Sequence, residues 1–281
     1  HPVRRCPRQI KRCIVKVMNA AASHAAELAE LRARLDDDPM VEIQMAQGGE
    51  ALDEACLRRW LRADKWDVLK AEARLKAHAK WRASVAPSGR IEQAGADADQ
   101  VFLHGMDKAG RPLITVTASA FVVADRDVEE CTLGICSILD RAAEQVDSAV
   151  NPDGQLCVIF DLRGMGISNV DTGMLRSIFE TLANHYPERM GQIYMYDASY
   201  LFWGIWKCLT PFIEEGTMQK VLWVYASDPT QLKENFELHQ LPEDFGGTAR
   251  RVPGADAARD AKPDVQLAEQ QPQQNGVLTA C

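Results

Sequence analysis

Two groups of residues have types that could do polar chemistry. Asp161-Leu-Arg-Gly164 directly follows the apolar run Leu156-Cys-Val-Ile-Phe160, and the carboxyl end of a buried strand is where α/β proteins usually place a site. His185 stands beside Tyr186-Pro187, where it would serve as a ligand or proton carrier. Neither group has the company catalysis needs. The chain contains no GxGxxG after its first strand, no GxxxxGK[ST], no GxSxG and no HExxH. Its six histidines lack metal-ligand spacing, and its eight cysteines form no CxxC pair. No nucleophile with a neighbouring base is visible. Asp161 with Arg163 therefore reads as a structural ion pair and His185 as a helix-end residue, and a hydrolase is the weakest of the functional readings.

The other feature with chemical meaning is apolar. Tyr200-Leu-Phe-Trp-Gly-Ile-Trp-Lys-Cys-Leu-Thr-Pro-Phe-Ile-Glu-Glu215 is an aromatic helix whose Phe202, Trp203, Ile205, Trp206, Leu209, Phe212 and Ile213 cover more than one face, wider than a surface helix needs. Gly204 permits bending, and Pro211 should kink or interrupt the helix. Such a segment is either an all-round core helix or a movable lid with one face over an apolar cavity and the other able to touch a membrane.

The elements that would position these groups are legible in outline. Residues 20–35 form a Leu-striped helix, and 36–50 read as a linker. Asp53 opens a second helical region, and Asp67 caps a third that runs to about Val85 and ends at Pro87-Ser88-Gly89. The pattern then changes. Val101–His104 and Leu113–Thr117 are strands around an Asp107/Gly110 hairpin turn. Helices over 127–149 and 171–185 alternate with strands at 156–160, 192–196 and 220–225, and a last helix begins at Thr230. This alternation predicts an α/β fold with a mostly parallel sheet and flanking helices, preceded by a small all-helical module. The expected division is 1–49 for a basic leader, helix and linker, 50–90 for the helical module, 91–252 for the α/β domain, and 253–281 for a disordered tail poor in large apolar residues.

Composition narrows the setting. Against 32 basic residues stand 40 acidic ones, a net charge of −8, which argues against nucleic-acid binding. Cysteine usage suggests a reducing, cytoplasmic setting, with Cys157 and Cys208 acting as small hydrophobes. No run is long enough to span a bilayer, so membrane contact is expected to be peripheral. Residues 1–18 carry six basic residues and no acid, similar to an organelle-targeting leader or a disordered basic one.

Ordered motifs carry a resemblance. Leu57-Arg-Arg-Trp-Leu-Arg-Ala-Asp-Lys-Trp-Asp67 with Trp81-Arg82, Gly105-Met-Asp-Lys-Ala-Gly-Arg-Pro112, Asp161-Leu-Arg-Gly164, Tyr186-Pro-Glu-Arg-Met190 and Phe245-Gly-Gly247 together resemble the CRAL-TRIO lipid-binding family across about residues 50–250. Within it the likeness is to the phosphatidylinositol/phosphatidylcholine transfer proteins. The resemblance implies a sheet that floors an apolar pocket closed by a gating helix, here 200–215, with Phe202, Trp203, Trp206, Leu209, Phe212 and Ile213 as gate and pocket residues. It implies that the headgroup is met by Lys65, Thr217 and Lys220, and that Glu188 and Arg189 couple gate to ligand or brace the fold. Lysines suit a phosphate, and a threonine hydroxyl can donate to it. Two departures stand out. Asp64 occupies a position commonly basic in phosphoinositide binders, and Leu156 and Val158 replace the hydroxyl residues of choline-lipid binders. The implied ligand is thus a membrane phospholipid, phosphatidylinositol foremost, bound without cofactor or metal by a monomer that touches membranes transiently. Each buried methylene is worth roughly 0.8 kcal/mol, so a two-chain lipid carries about 20 kcal/mol of burial and exchange requires a gate. Alternatives are a carrier of a tocopherol, retinoid or sterol, and a lipid-sensing adaptor that uses the Leu-rich helix to bind a partner.

Overall fold

The computed structural model describes residues 24–92, 100–121, 127–213 and 215–250, and within these the side chains of Leu201, Leu209 and Phe212 are not described. The basic leader and the tail expected after 253 lie outside the described residues.

Four helices come first: α1 (Ala25–Asp36), α2 (Pro39–Gln47), α3 (Glu54–Ala63) and α4 (Val68–Val85). The expected linker is thus largely a helix. Pro39 occupies its first turn, where a missing N–H costs nothing. Val41 and Met45, one turn apart, are its buried residues. They join Leu31 and Leu35 of α1, Leu57 and Leu61 of α3 and Leu75 of α4 in one apolar core. Two inward residues in a nine-residue helix are too few to stand out as a period in the sequence. Asp67 caps as expected, accepting from the Lys70 amide at 3.0 Å, and Asp53, expected to open its helix, also caps it by accepting from the Cys56 amide at 2.7 Å.

A five-stranded sheet follows in the order β1 (Val101–Met106), β2 (Pro112–Thr117), β3 (Leu156–Asp161), β4 (Met190–Tyr196) and β5 (Val221–Val224). β1 is antiparallel to β2, and the remaining pairings are parallel. The hairpin turns on Asp107, whose carboxylate accepts from the Ala109 and Arg111 amides and from Arg111 Nε, with Gly110 at φ 71°. The crossovers carry α5 (Val128–Ala143), α6 (Thr172–His185), and the pair α7 (Tyr200–Leu209) and α8 (Glu215–Met218). α5 stops six residues short of the expected 149. Beyond it the Asp147 carboxylate accepts from the Ala149 amide, and the Asn151 side chain bonds to Gly110 O and to Gln155, local bonds that compete with helix continuation.

Alternation along the strands separates two faces. Leu113, Cys157, Ile159, Tyr194, Tyr196 and Val224 face α9 (Thr230–Asn235) and the closing segment through Leu232, Phe236, Leu241 and Phe245. Ile114, Leu156, Val158, Ile193 and Met195 face α5 and α7.

Candidate functional site

α7 divides lengthwise. Phe202 and Trp206 are buried and Ile205 half-buried, whereas Gly204, Lys207 and Cys208 are exposed, Trp203 keeps 37% of its surface and Tyr200 keeps 98%. All-round burial is thereby excluded, and Cys208 is not the packed hydrophobe expected. Burial does hold at Cys157, raising its thiol pKa well above the ordinary value. The helix ends at Leu209 and gives way to one tight turn over Thr210–Phe212, where Pro211 has no N–H for the α-helical ladder. Inward, Trp223 of β5 is the shared seat. Its ring lies 6.1 Å from Phe202, 4.2 Å from Trp203 in a stack, and 5.3 Å from Trp206 edge-on. Ile213 is half-buried against the same cluster.

The two sheet faces differ in closure. Opposite α9, Leu113, Cys157, Ile159, Tyr194, Tyr196 and Val224 are sealed. On the face that α7 covers, Val116, Phe160, Met190, Val221 and Trp223 remain half-buried. On the α9 face Leu222 of β5 is half-buried as well, so the difference between the faces is one of degree. Leu156 and Val158 point to the same face and are buried, leaving no hydroxyl at those two positions.

The charged residues gather at the opposite end of the strands from the usual α/β site. Lys220, expected to open the last strand, lies in the turn before it, and Thr217 lies in α8. They are joined through the Lys220 amide, which donates to Thr217 O at 3.0 Å. Lys220 Nζ pairs with Glu188 at 3.1 Å, both side chains being about one quarter exposed. Glu188 adopts φ 56°, a left-handed conformation that turns neighbouring side chains in different directions. Arg189 therefore faces away from Glu188: its Nη1 donates to Gly154 O at 3.1 Å, and its Nη2 lies 3.8 Å from Glu50. Tyr186 donates to Asp140 of α5 at 3.0 Å. Lys65 is exposed on a turn with φ 55°, and no ion pair joins it to Glu188. Its neighbour Asp64 is not a headgroup-facing acid. It is buried between Arg74 at 2.8 Å and Lys70 at 3.2 Å, and Arg74 also donates to Ala183 O at the end of α6. Asp64 thus ties the helical unit to the sheet domain.

Asp161 with Arg163, and His185, are each engaged in packing and hydrogen-bond contacts. Arg163 binds Asp161 through Nε at 2.8 Å and Nη2 at 2.6 Å, and its guanidinium lies over the Tyr196 and Phe245 rings. His185 stacks on Trp81 at 3.8 Å and contacts His78, which bonds Glu50 at 2.5 Å. Burial and the charges of His78 and Arg74 hold His185 down at about 4, against the pull of Glu50. Among the described residues no cluster of three His, Cys, Asp or Glu groups could hold a metal, and no helix is long and apolar enough to cross a membrane.

The fold is thus a mostly parallel α/β sheet with flanking helices, one of them aromatic and covered on one side only, behind a small helical unit. The CRAL/TRIO domain family matches residues 98–247, more than half of the chain, and the chain belongs to that family of lipid-binding and lipid-transfer proteins. The SEC14 cytosolic factor of Candida glabrata is 27% identical over 227 residues, spanning 73% of this chain and 74% of that protein. The Sec14 cytosolic factor of Schizosaccharomyces pombe is 25% identical, spanning 87% and 92%. The phosphatidylinositol transfer protein CSR1 of Eremothecium gossypii is 24% identical, spanning 68% of this chain and 46% of that one. The crystal structure of Sfh5 shares the fold, with TM-score 0.66 at 12% identity over 81% of this chain and 89% of that one.

Proposed function

We propose that this protein is a non-catalytic carrier that binds one phospholipid, phosphatidylinositol, and exchanges or presents it at membrane surfaces. The acyl chains lie on the half-open face at Val116, Phe160, Val221 and Trp223, beneath Phe202, Trp206 and Ile213, with Leu209 and Phe212 in the same gate. The phosphate is met by Lys220 and Thr217, with Lys65 contributing from the helical unit. Lys220 must leave Glu188 to do so, and Glu188 and Arg189 couple that exchange to the gate. The observation that carries the reading is the row of half-buried apolar residues Val116, Phe160, Val221 and Trp223 beneath α7, whose own outer face leaves Tyr200 and Trp203 exposed. Apolar Leu156 and Val158 disfavour a choline headgroup. Tyr200 and Trp203, exposed on the outer face of α7, suit transient insertion at a bilayer interface, where aromatic groups are favoured.

Lipid extraction from the purified protein followed by mass spectrometry, with transfer of labelled phosphatidylinositol between liposomes, tests this directly. Co-purified phosphatidylinositol and measurable transfer are expected. A sterol, retinoid or tocopherol in the extract would reassign the ligand, and no lipid together with no transfer would reject the reading.

A further inference from the structure

A second polar site lies away from the gate. Between the helical unit and the sheet domain is a cavity of about 790 Å³, lined by Glu50, Arg59 and Arg82 on one side and by Leu103, Ser137 and Asn151 on the other, a volume typical of small-molecule sites. Arg59 projects from α3 and is only 8% exposed. Among the described residues it has neither an ion-pair nor a hydrogen-bond partner. Arg189 enters the same cavity, and the two guanidinium groups converge. A Cβ on Gly154 would lie 2.9 Å from Arg189 Nη1 and 3.3 Å from Arg59 Nη1, so both nitrogens approach the one place the glycine leaves free. Gly154 sits at φ 63°, a conformation that disfavours side chains.

This arrangement is costly as it stands, because a buried charge is normally paired and two like charges repel. Among the described residues none of the nearby acids pairs with Arg59. Glu50 is bound by His78 and lies 3.8 Å from Arg189, Asp53 caps α3, and Asp153 pairs with Arg62 at 2.6 Å. Burial and the charge of Arg189 lower the pKa of Arg59, outweighing the opposite pull of Cys56, Glu50 and Asp53.

We propose that Arg59, Arg189 and the Gly154 turn form a binding site for a phosphate group, separate from the headgroup position at Lys220. Two guanidinium groups supply the forked donors that phosphate oxygens accept. The shared chemistry is a phosphomonoester, carried by a soluble metabolite or by a phosphorylated lipid headgroup.

The test uses the full chain and does not depend on lipid transfer. Calorimetric titration and thermal shift are run with inorganic phosphate, with inositol 1,4,5-trisphosphate, and with phosphatidylcholine vesicles with and without phosphatidylinositol 4-phosphate. Saturable binding of a soluble probe with a rise in Tm is expected, weakened about tenfold or more in Arg59→Gln. In phosphate-free buffer Arg59→Gln should unfold at or above the wild-type temperature, because it removes an unpaired buried charge. A response confined to the phosphatidylinositol 4-phosphate vesicles and lost in Arg59→Gln would assign the site to a lipid headgroup. Gly154→Ala, which intrudes between the guanidinium groups, should abolish either response. Absence of any saturable response, equal binding by Arg59→Gln, or a Tm for that variant well below wild type in phosphate-free buffer would overturn the proposal.

Discussion

The Glu188–Lys220 pair allows the headgroup reading to be separated from a structural one, because its two members should respond with opposite signs. The pair is 3.1 Å long, with the side chains 22% and 26% exposed. A partly solvated pair of this kind contributes about 1 kcal/mol or less, so either truncation should lower Tm by only about 2–4 °C in a chain of this size. If Lys220 meets a lipid phosphate, Lys220→Ala removes a charge-assisted bond worth about 1.5–3 kcal/mol, a loss of roughly 10- to 150-fold in inositol-lipid affinity. Glu188→Gln removes only the competitor that the phosphate must displace. It should leave affinity unchanged or raise it by up to about fivefold, the equivalent of about 1 kcal/mol. Glutamine keeps the size and left-handed backbone of residue 188. The assay is fluorescent phosphatidylinositol transfer between liposomes, run beside thermal unfolding of each variant. Equal losses of transfer in both variants would show that the pair acts as a brace. Wild-type transfer by Lys220→Ala would refute the reasoning outright.

Three further outcomes are expected. Trp223→Ala removes the seat of Phe202, Trp203 and Trp206; amide exchange over 203–209 should accelerate at least about tenfold while β3 changes less, and uniform acceleration would mean that the gate is not a separate opening unit. Tyr200→Ala, at a site 98% exposed, should leave Tm within about 1 °C, because exposed substitutions cost little, yet weaken liposome binding measured by co-sedimentation; unchanged binding would remove α7 from the membrane contact. Stability should also fall with acid in two stages. His185, held at about 4 rather than 6.5, is protonated more readily unfolded, so its contribution is present above pH 6.5 and lost as pH falls toward 4, worth about 2 kcal/mol after allowance for solvent access. Burial pushes Glu50 up, but the His78 hydrogen bond and the charges of His78, Arg82 and Arg189 outweigh it and bring it to about 2. Its contribution is present above pH 4.5 and lost toward pH 2. Denaturant melts of His185→Phe, which keeps the stack on Trp81, should lack the upper stage, and an unaltered pH slope would contradict the assignment.

What could be read in advance follows the physics of each signal. The strands at 156–160 and 192–196, the helix start at Asp53 and the cap Asp67 are written in short-range patterns, and they appear as expected. α2 was hidden because its inward residues, Val41 and Met45, are meaningful only against α1 and α4. Asp64 looked like a repulsive acid beside a headgroup because its partner, Arg74, lies ten residues away and is recognisable only once the helices pack. The converging Arg59 and Arg189 were invisible for the same reason: 130 residues separate them, and Arg59 sits in a motif whose other arginines are exposed or paired. Pro211, by contrast, announced the end of α7 within two residues, because its effect is local.

The segment Tyr186–Arg189 shows why gate and core need not be separate machines. Within four residues, Tyr186 binds α5 through Asp140, Glu188 binds Lys220 behind α8, and Arg189 binds the turn before β3 and approaches Glu50 beside the helical unit. The positive φ of Glu188 is what allows consecutive charged side chains to address different elements, and a conformation of that kind persists only where its surroundings fix it. If a lipid phosphate takes Lys220 from Glu188, the constraint on that backbone relaxes at one point only. The Arg189 and Tyr186 contacts remain as fixed anchors against which α7 and α8 can move. Coupling in this scheme needs no rearrangement of the sheet, and its strength is bounded by the roughly 1 kcal/mol of the partly exposed pair. A Glu188→Gln variant whose α7 amides exchange as in wild type, with and without bound lipid, would show that the pair carries no such coupling.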